Sequence, residues 1–128
     1  MQGRVFQVDT SVADVSSSRF DAVVVMGGDG APSHLWDNDS VRGILRCTFA
    51  LGGVVGGICY GVVALARAGV LAGRRATVYP DRRAEIEIAR GGAFLSAEPL
   101  VVDGSVVTAR GPAESFLLAQ TLLTRLHA

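Results

Sequence analysis

The chain has 128 residues, 49% of them hydrophobic, and its twelve basic and twelve acidic side chains cancel to a formal net charge of zero. That length and apolar content suit one domain, residues 1–128, with a real core, and argue against disorder. The neutral balance gives no electrostatic case for nucleic acid or an anionic membrane, and the absence of any run of about 18 apolar residues gives none for a membrane-spanning helix.

Val5–Val8 reads as a first strand and Ser11–Arg19 as a polar loop or edge segment. Phe20–Met26 is a continuous β-branched run that stops at Gly27-Gly28, the pattern of a strand buried on both faces of a parallel sheet. Asp29-Gly30-Ala31-Pro32 reads as loop. Asp39-Ser40 suits the cap of a helix from about Val41, with Val41, Ile44, Leu45 and Thr48 on one face and an end near Leu51-Gly52-Gly53. Cys47 within it reads as a small buried hydrophobe.

Val54–Ile58 is the next expected strand, turning at Cys59 into a helix that runs to about Ala68 and stops at Gly69. Arg75–Val78 reads as a short strand, and Asp81–Arg90 as a short helix with Asp81, Glu85 and Glu87 solvated. The paired arginines Arg74-Arg75 and Arg82-Arg83 read as a solvated face. Asp103-Gly104 between Leu100–Val102 and Ser105–Thr108 is a strong hairpin signal. A last helix begins near Pro112, with Glu114 at the positive end of its dipole and Phe116, Leu118, Leu122, Leu123 and Leu126 able to pack inward. Strands alternating with helices predict an α/β domain with a mostly parallel sheet, whose sites lie beyond the carboxyl ends of its strands.

Two loops meet that condition, Gly27-Gly28 and the Cys59 turn. A sharp strand-to-helix turn lifts a side chain above the sheet, and a thiolate there gains from the positive end of the following helix. The N–H of Tyr60 would point into the same space. Gly28, having no side chain, would let a second N–H approach and complete an oxyanion hole. The spacing fits a nucleophile, and it fits a buried structural cysteine on a glycine-rich turn equally well. Asp29 and His34 are the nearby groups able to act as acid, base or water-orienting residue. Two histidines and two cysteines at scattered positions make no zinc site, and nothing in the sequence calls for a cofactor. The start, Met1–Arg4, lacks the apolar centre of a signal peptide, so reduced thiols and a cytoplasmic location are expected.

Taken in order, Asp21–Gly28, Ile58–Gly61, Leu65–Thr77, Tyr79-Pro80, Val101–Gly104 and Val107–Pro112 resemble the ThiJ/PfpI superfamily, over roughly Asp21 to the C-terminus. The resemblance implies a flavodoxin-like α/β/α sandwich related to class I glutamine amidotransferase domains. It implies Cys59 as the elbow cysteine, Gly28 and Tyr60 as the backbone oxyanion donors, and Tyr79 and Arg110 as site-lining residues, the Arg110-Gly111-Pro112 segment often shaping a dimer contact. Members include deglycase or glyoxalase III-type enzymes acting on 2-oxoaldehydes, isonitrile hydratases, peptidase-like proteins, chaperones and oxidative-stress sensors. A small-molecule substrate is therefore expected.

The sequence departs from the pattern in three places. Tyr60 stands where peptidase-like members carry a histidine after the cysteine, so that dyad is absent and the protease reading falls. Tyr79 stands where some relatives place a histidine. An opening βαβ unit of about 30 residues, with an acidic residue that tunes the cysteine, has no counterpart before Phe20. The expectation is a sheet incomplete at its N-terminal side, completed by a second chain supplying that unit or by self-pairing in a homo-oligomer. The two functional classes that follow are a cofactor-free cysteine enzyme and a non-catalytic redox sensor, chaperone or assembly subunit.

Overall fold

In a computed structural model the described residues are 7–15 and 20–127. The elements in chain order are α1 (Val12–Val15), β1 (Ala22–Val25), α2 (Ala31–His34), α3 (Asp39–Ala50), β2 (Val54–Ile58), α4 (Val62–Arg67), β3 (Arg75–Ala76), α5 (Arg82–Arg90), β4 (Phe94–Leu95), β5 (Leu100–Asp103), β6 (Val106–Ala109) and α6 (Ser115–Leu126). A four-stranded sheet has the order β1-β2-β6-β5, and β3 and β4 form a separate parallel pair. The β1–β2 and β2–β6 pairings are parallel, and only the β5–β6 hairpin is antiparallel. The expected mixed α/β architecture with a mostly parallel sheet flanked by helices is therefore present.

The central strands alternate between two cores, as a pleat of period two requires. Val25, Val55 and Val106 pack into one cluster with α3, α4 and α5. Val54, Ile58, Val107 and Ala109 pack into the other with Leu118 of α6. Each fully buried valine or leucine contributes about 1.5–3 kcal/mol. Two glycines in β2 bring the helix layers close. A side chain at Gly57 would meet the Val62 backbone at 3.0 Å, and one at Gly56 would meet Leu122 at 3.5 Å from the opposite face.

Several expectations are corrected. Val5 and Phe6 lie outside the described residues, as do residues 16–19; Gln7 and Val8 form no strand, and Val12–Val15 is a helical turn rather than a loop. Ala31–His34, read as loop in part, is helical, begun by Pro32 in its first turn. The cap of α3 is Asn38, whose side chain accepts the Val41 N–H at 3.1 Å, rather than Asp39-Ser40. The inward stripe Val41, Ile44, Leu45 and Thr48 is as expected, but Cys47 is exposed. At about 100° per residue, Cys47 sits on the flank of that stripe. The Arg75–Val78 strand stops at Ala76, because the Thr77 N–H leaves the ladder and bonds Thr108 Oγ1 at 3.0 Å. The partner strand β4 carries no sequence signal of its own.

The last helix departs furthest. Leu118 is buried and Leu122 packs against its cluster, whereas Phe116 is 76% exposed and Leu123 and Leu126 also face outward. A twelve-residue helix on one sheet face can bury only one stripe. The arginine pairs are not merely solvated either: Arg74 pairs with Asp103 at 3.6 Å and Arg83 lies over the Trp36 ring at 4.8 Å.

Gly61 is the tightest point between strand and helix. A Cβ there would fall on the Val25 carbonyl oxygen, with the Met26 oxygen 2.7 Å away. Because both neighbours are backbone, Gly61→Ala is expected to lose about 3 kcal/mol or more of stability, read as a lowered urea midpoint at unchanged m-value.

Candidate functional site

β2 runs extended to Ile58 (φ −136°, ψ 140°), and the chain then reverses through Cys59 at φ +58° into a 3₁₀ turn, Cys59–Gly61, that leads into α4. Cys59 is the one non-glycine residue at positive φ among the described residues. Such a conformation costs about 1–3 kcal/mol and persists only where the surroundings over-determine it. Here the surroundings are the end of β1. A Cβ at Gly27 would lie 2.7 Å from Cys59 Cβ, 2.9 Å from the Ile58 oxygen and 3.1 Å from the Tyr60 nitrogen.

The two adjacent glycines are needed for different reasons. Gly27 supplies the close approach to the turn. At Gly28 a Cβ would have nothing within 4 Å, and glycine is required there instead by φ +108°.

A cavity of about 430 Å³ opens above the turn, lined by Cys59 and Tyr60 with Met26–Asp29, Ile58, Tyr79, Pro112 and Ser115. Most of this lining is apolar or aromatic. Among the described residues Asp29 is its one charged side chain, and no histidine, lysine or arginine of theirs lines it. Among the described residues no group of three or more His, Cys, Asp or Glu could hold a metal ion.

Tyr60 is held on several sides. Its hydroxyl donates to Asp81 Oδ2 at 2.7 Å. Its carbonyl accepts the Trp36 indole N–H at 2.8 Å. Its ring lies 5.1 Å from Tyr79 and 6.2 Å, edge-on, from Trp36. The bond to Asp81, aided by desolvation, pushes the Tyr60 phenol up from 10.0 to about 12. The same bond lowers the Asp81 carboxyl, with help from the Arg83 N–H.

Of the residues singled out from sequence, Cys59, Tyr60, Gly28, Asp29 and Tyr79 come together around one cavity. His34 does not line it: it ends α2 as an exposed residue. Arg110 does not line it either, its guanidinium donating to the Ala97 carbonyl at 3.3 Å while Pro112, two residues on, reaches the cavity. Asp81, expected in solvent, caps α5 by accepting the Arg83 N–H at 2.8 Å and binds Tyr60 with its other oxygen. Glu87, also expected in solvent, is only 13% exposed and pairs with Arg67 at 3.0 Å. Trp36 and Ser115 are additions that no local pattern indicated.

A model of the DJ-1/PfpI family matches residues 1–125. The chain belongs to the DJ-1/PfpI family. Among its curated relatives, an uncharacterised protein of Methanocaldococcus jannaschii is 38% identical over 88% of this chain and 55% of its own length. Protein dj-1beta of Drosophila melanogaster is 32% identical over 87% of this chain and 58% of its own. A protein of Pyrococcus horikoshii named a deglycase is 38% identical over 89% of this chain and 67% of its own. The chain thus spans a little over half the length of the first two. Among solved structures, a ThiJ/PfpI domain protein from Brachyspira murdochii superposes with a TM-score of 0.79 at 31% identity, covering 93% of this chain and 64% of that one. Drosophila DJ-1beta gives 0.79 at 31% identity, covering 92% and 62%. Several archaeal members of the DJ-1/PfpI family are named deglycases. No helix among the described residues is long and apolar enough to cross a membrane.

Two expectations test this geometry. Cys59→Gly should be more stable than Cys59→Ala by about 1 kcal/mol in chemical denaturation, since both remove the thiol and only glycine tolerates the positive φ. The Tyr60–Asp81 pair should stabilise the fold between the two groups' ordinary ranges. Its contribution is complete below the phenol's unfolded value near 10.0 and is lost as pH rises toward about 12. On the acid side it is lost as pH falls below the ordinary carboxylate value of 3.8 and through the lowered Asp81 value. Thermal melts on wild type and Tyr60→Phe should differ most between about pH 5 and pH 9 and draw closer as the pH falls below 3.8 or rises above 10.0.

Proposed function

We propose that this chain carries a cofactor-free, cysteine-dependent activity on a small electrophilic carbon, a 2-oxoaldehyde or an adduct derived from one being the best-supported class. The observation that carries this reading is Cys59 at φ +58°, facing a mostly apolar cavity of about 430 Å³ beside two backbone segments that can present N–H groups. The naming of archaeal relatives as deglycases adds to it.

In this reading Cys59 Sγ, once deprotonated, attacks the carbonyl carbon. A C–S bond forms, the carbonyl π pair moves to oxygen, and the N–H groups of Gly28 and Tyr60 hold the resulting oxyanion. Protonation of that oxygen completes a thiohemiacetal. For a 2-oxoaldehyde the C1 hydrogen then moves as a proton to C2 through an enediol, so that C1 is oxidised and C2 reduced within the substrate and a 2-hydroxyacyl thioester remains on Cys59. Water oriented by Asp29 adds to that thioester carbonyl, the C–S bond breaks, and the 2-hydroxy acid leaves with the thiolate restored. The apolar walls from Met26, Ile58 and Pro112 keep bulk water from the adduct. Isonitrile hydration would use the same thiol and the same donors.

A second reading, a non-catalytic redox sensor or assembly subunit, is favoured by one feature. Among the described residues no histidine or other cationic side chain lines the cavity to trade protons with the thiol. An accessible cysteine in such a site can end as a sulfenic or sulfinic acid.

Cys59→Ala should lower turnover of methylglyoxal by about three orders of magnitude or more, with circular dichroism and melting behaviour close to wild type. Unchanged turnover in that variant sinks the enzyme reading. Selective oxidation of Cys59 by mild peroxide in mass spectrometry, with no turnover of aldehyde or isonitrile, supports the sensor.

A further inference from the structure

Four contacts close a ring behind the turn. Tyr60 Oη donates to Asp81 Oδ2, and Asp81 Oδ1 accepts the Arg83 N–H. The Arg83 guanidinium lies over the Trp36 ring at 4.8 Å, and the Trp36 indole returns to the Tyr60 carbonyl. Trp36 is 1% exposed and carries a second guanidinium, Arg67, at 5.4 Å from its ring centre. The ring gathers residues from three separate parts of the chain: the turn itself, the link between α2 and α3, and the first turn of α5.

We infer that Asp81 is a positioning residue for the Cys59 turn, acting through the Tyr60 hydroxyl to fix the direction of the Tyr60 backbone N–H. The inference rests on the reading of Cys59 as a nucleophile and of that N–H as an oxyanion donor. Tyr60 is pinned at its phenol by Asp81 and at its carbonyl by Trp36, so both ends of the residue are fixed. Its N–H leaves the same Cα on the other side, in the peptide bond shared with the strained Cys59, so that anchoring the side chain and the carbonyl sets its direction. A donor must sit where charge develops rather than where the ground-state oxygen lies, and a misplacement of about 1 Å can cost about a hundredfold in rate. The other titratable groups facing the phenol are Tyr79 and Cys59; Arg83 faces the carboxylate.

The helix cap and the phenol bond use different oxygens of Asp81, so they can be separated. Asp81→Ser keeps a good capping oxygen for α5 and loses the reach to Tyr60. Tyr60→Phe removes the same bond from its other end. Three measurements on wild type, each single variant and the double variant decide the matter. Ultraviolet titration should show one of the chain's two tyrosines ionising near pH 12 in wild type and near pH 10 in Asp81→Ser, with that transition gone in Tyr60→Phe. Alkylation of Cys59 by iodoacetamide, followed by peptide mass mapping to separate it from Cys47, should remain measurable in all four proteins. Turnover of methylglyoxal should fall about tenfold in kcat, with KM little changed, in each single variant.

The double variant should fall no further than either single one, because both remove one bond. Losses that multiply, or an unchanged kcat in Asp81→Ser, overturn the inference. So does a phenol that still ionises near pH 12 without the carboxylate. If Cys59→Ala keeps its turnover, the enzyme reading fails instead, while the titration still reports on the ring of contacts.

Discussion

The fold around the site depends on one constraint: the end of β1 must touch the turn that follows β2, backbone against backbone. Gly27 and Gly61 are the two positions where that contact is made, and neither has space for a β-carbon. Parallel pairing of Val25 with Gly57 delivers the two strand ends side by side. The backbone then has no room to relax around Cys59, which is how a non-glycine residue stays at φ +58°. The cavity, the direction of the thiol and the proximity of the Gly28 loop all follow from this packing of glycine against peptide.

Much of this was legible in the sequence where the signal is local. The β-branched run before Gly27-Gly28, the apolar run before Cys59 and the Asp-Gly hairpin each carry their own periodicity and punctuation. The motifs in order were also sufficient to indicate the family. What the sequence left hidden is non-local. Asp81 reads as a solvated residue at the start of a short helix, and nothing nearby says that one of its oxygens caps α5 while the other meets a tyrosine 21 residues earlier. His34 was the candidate the sequence offered in its segment, yet Trp36, two residues on, is the buried residue and His34 the exposed one. The division of labour between Gly27 and Gly28 is set by tertiary contact, because two adjacent glycines look alike in sequence until one has a positive φ and the other a neighbour at 2.7 Å.

The last helix shows the limit of reading amphipathicity from composition. Five apolar positions were available, but a sheet face offers one line of contact, and Leu118 with Leu122 occupy it. The remaining apolar side chains stay outside because the helix is richer in leucine than its seat can use. Cys47 follows the same rule on α3, where the angular position on the helix decided its exposure and residue type did not.

The ring of contacts behind the turn has one further consequence. Trp36 is the chain's single tryptophan, it is shielded from solvent, and its indole N–H is spent on the Tyr60 carbonyl. All of the protein's tryptophan emission therefore originates one hydrogen bond from the candidate site. Nature has placed an intrinsic fluorophore where occupancy of the cavity, oxidation of the thiol or relaxation of the turn would be seen optically, with no label attached.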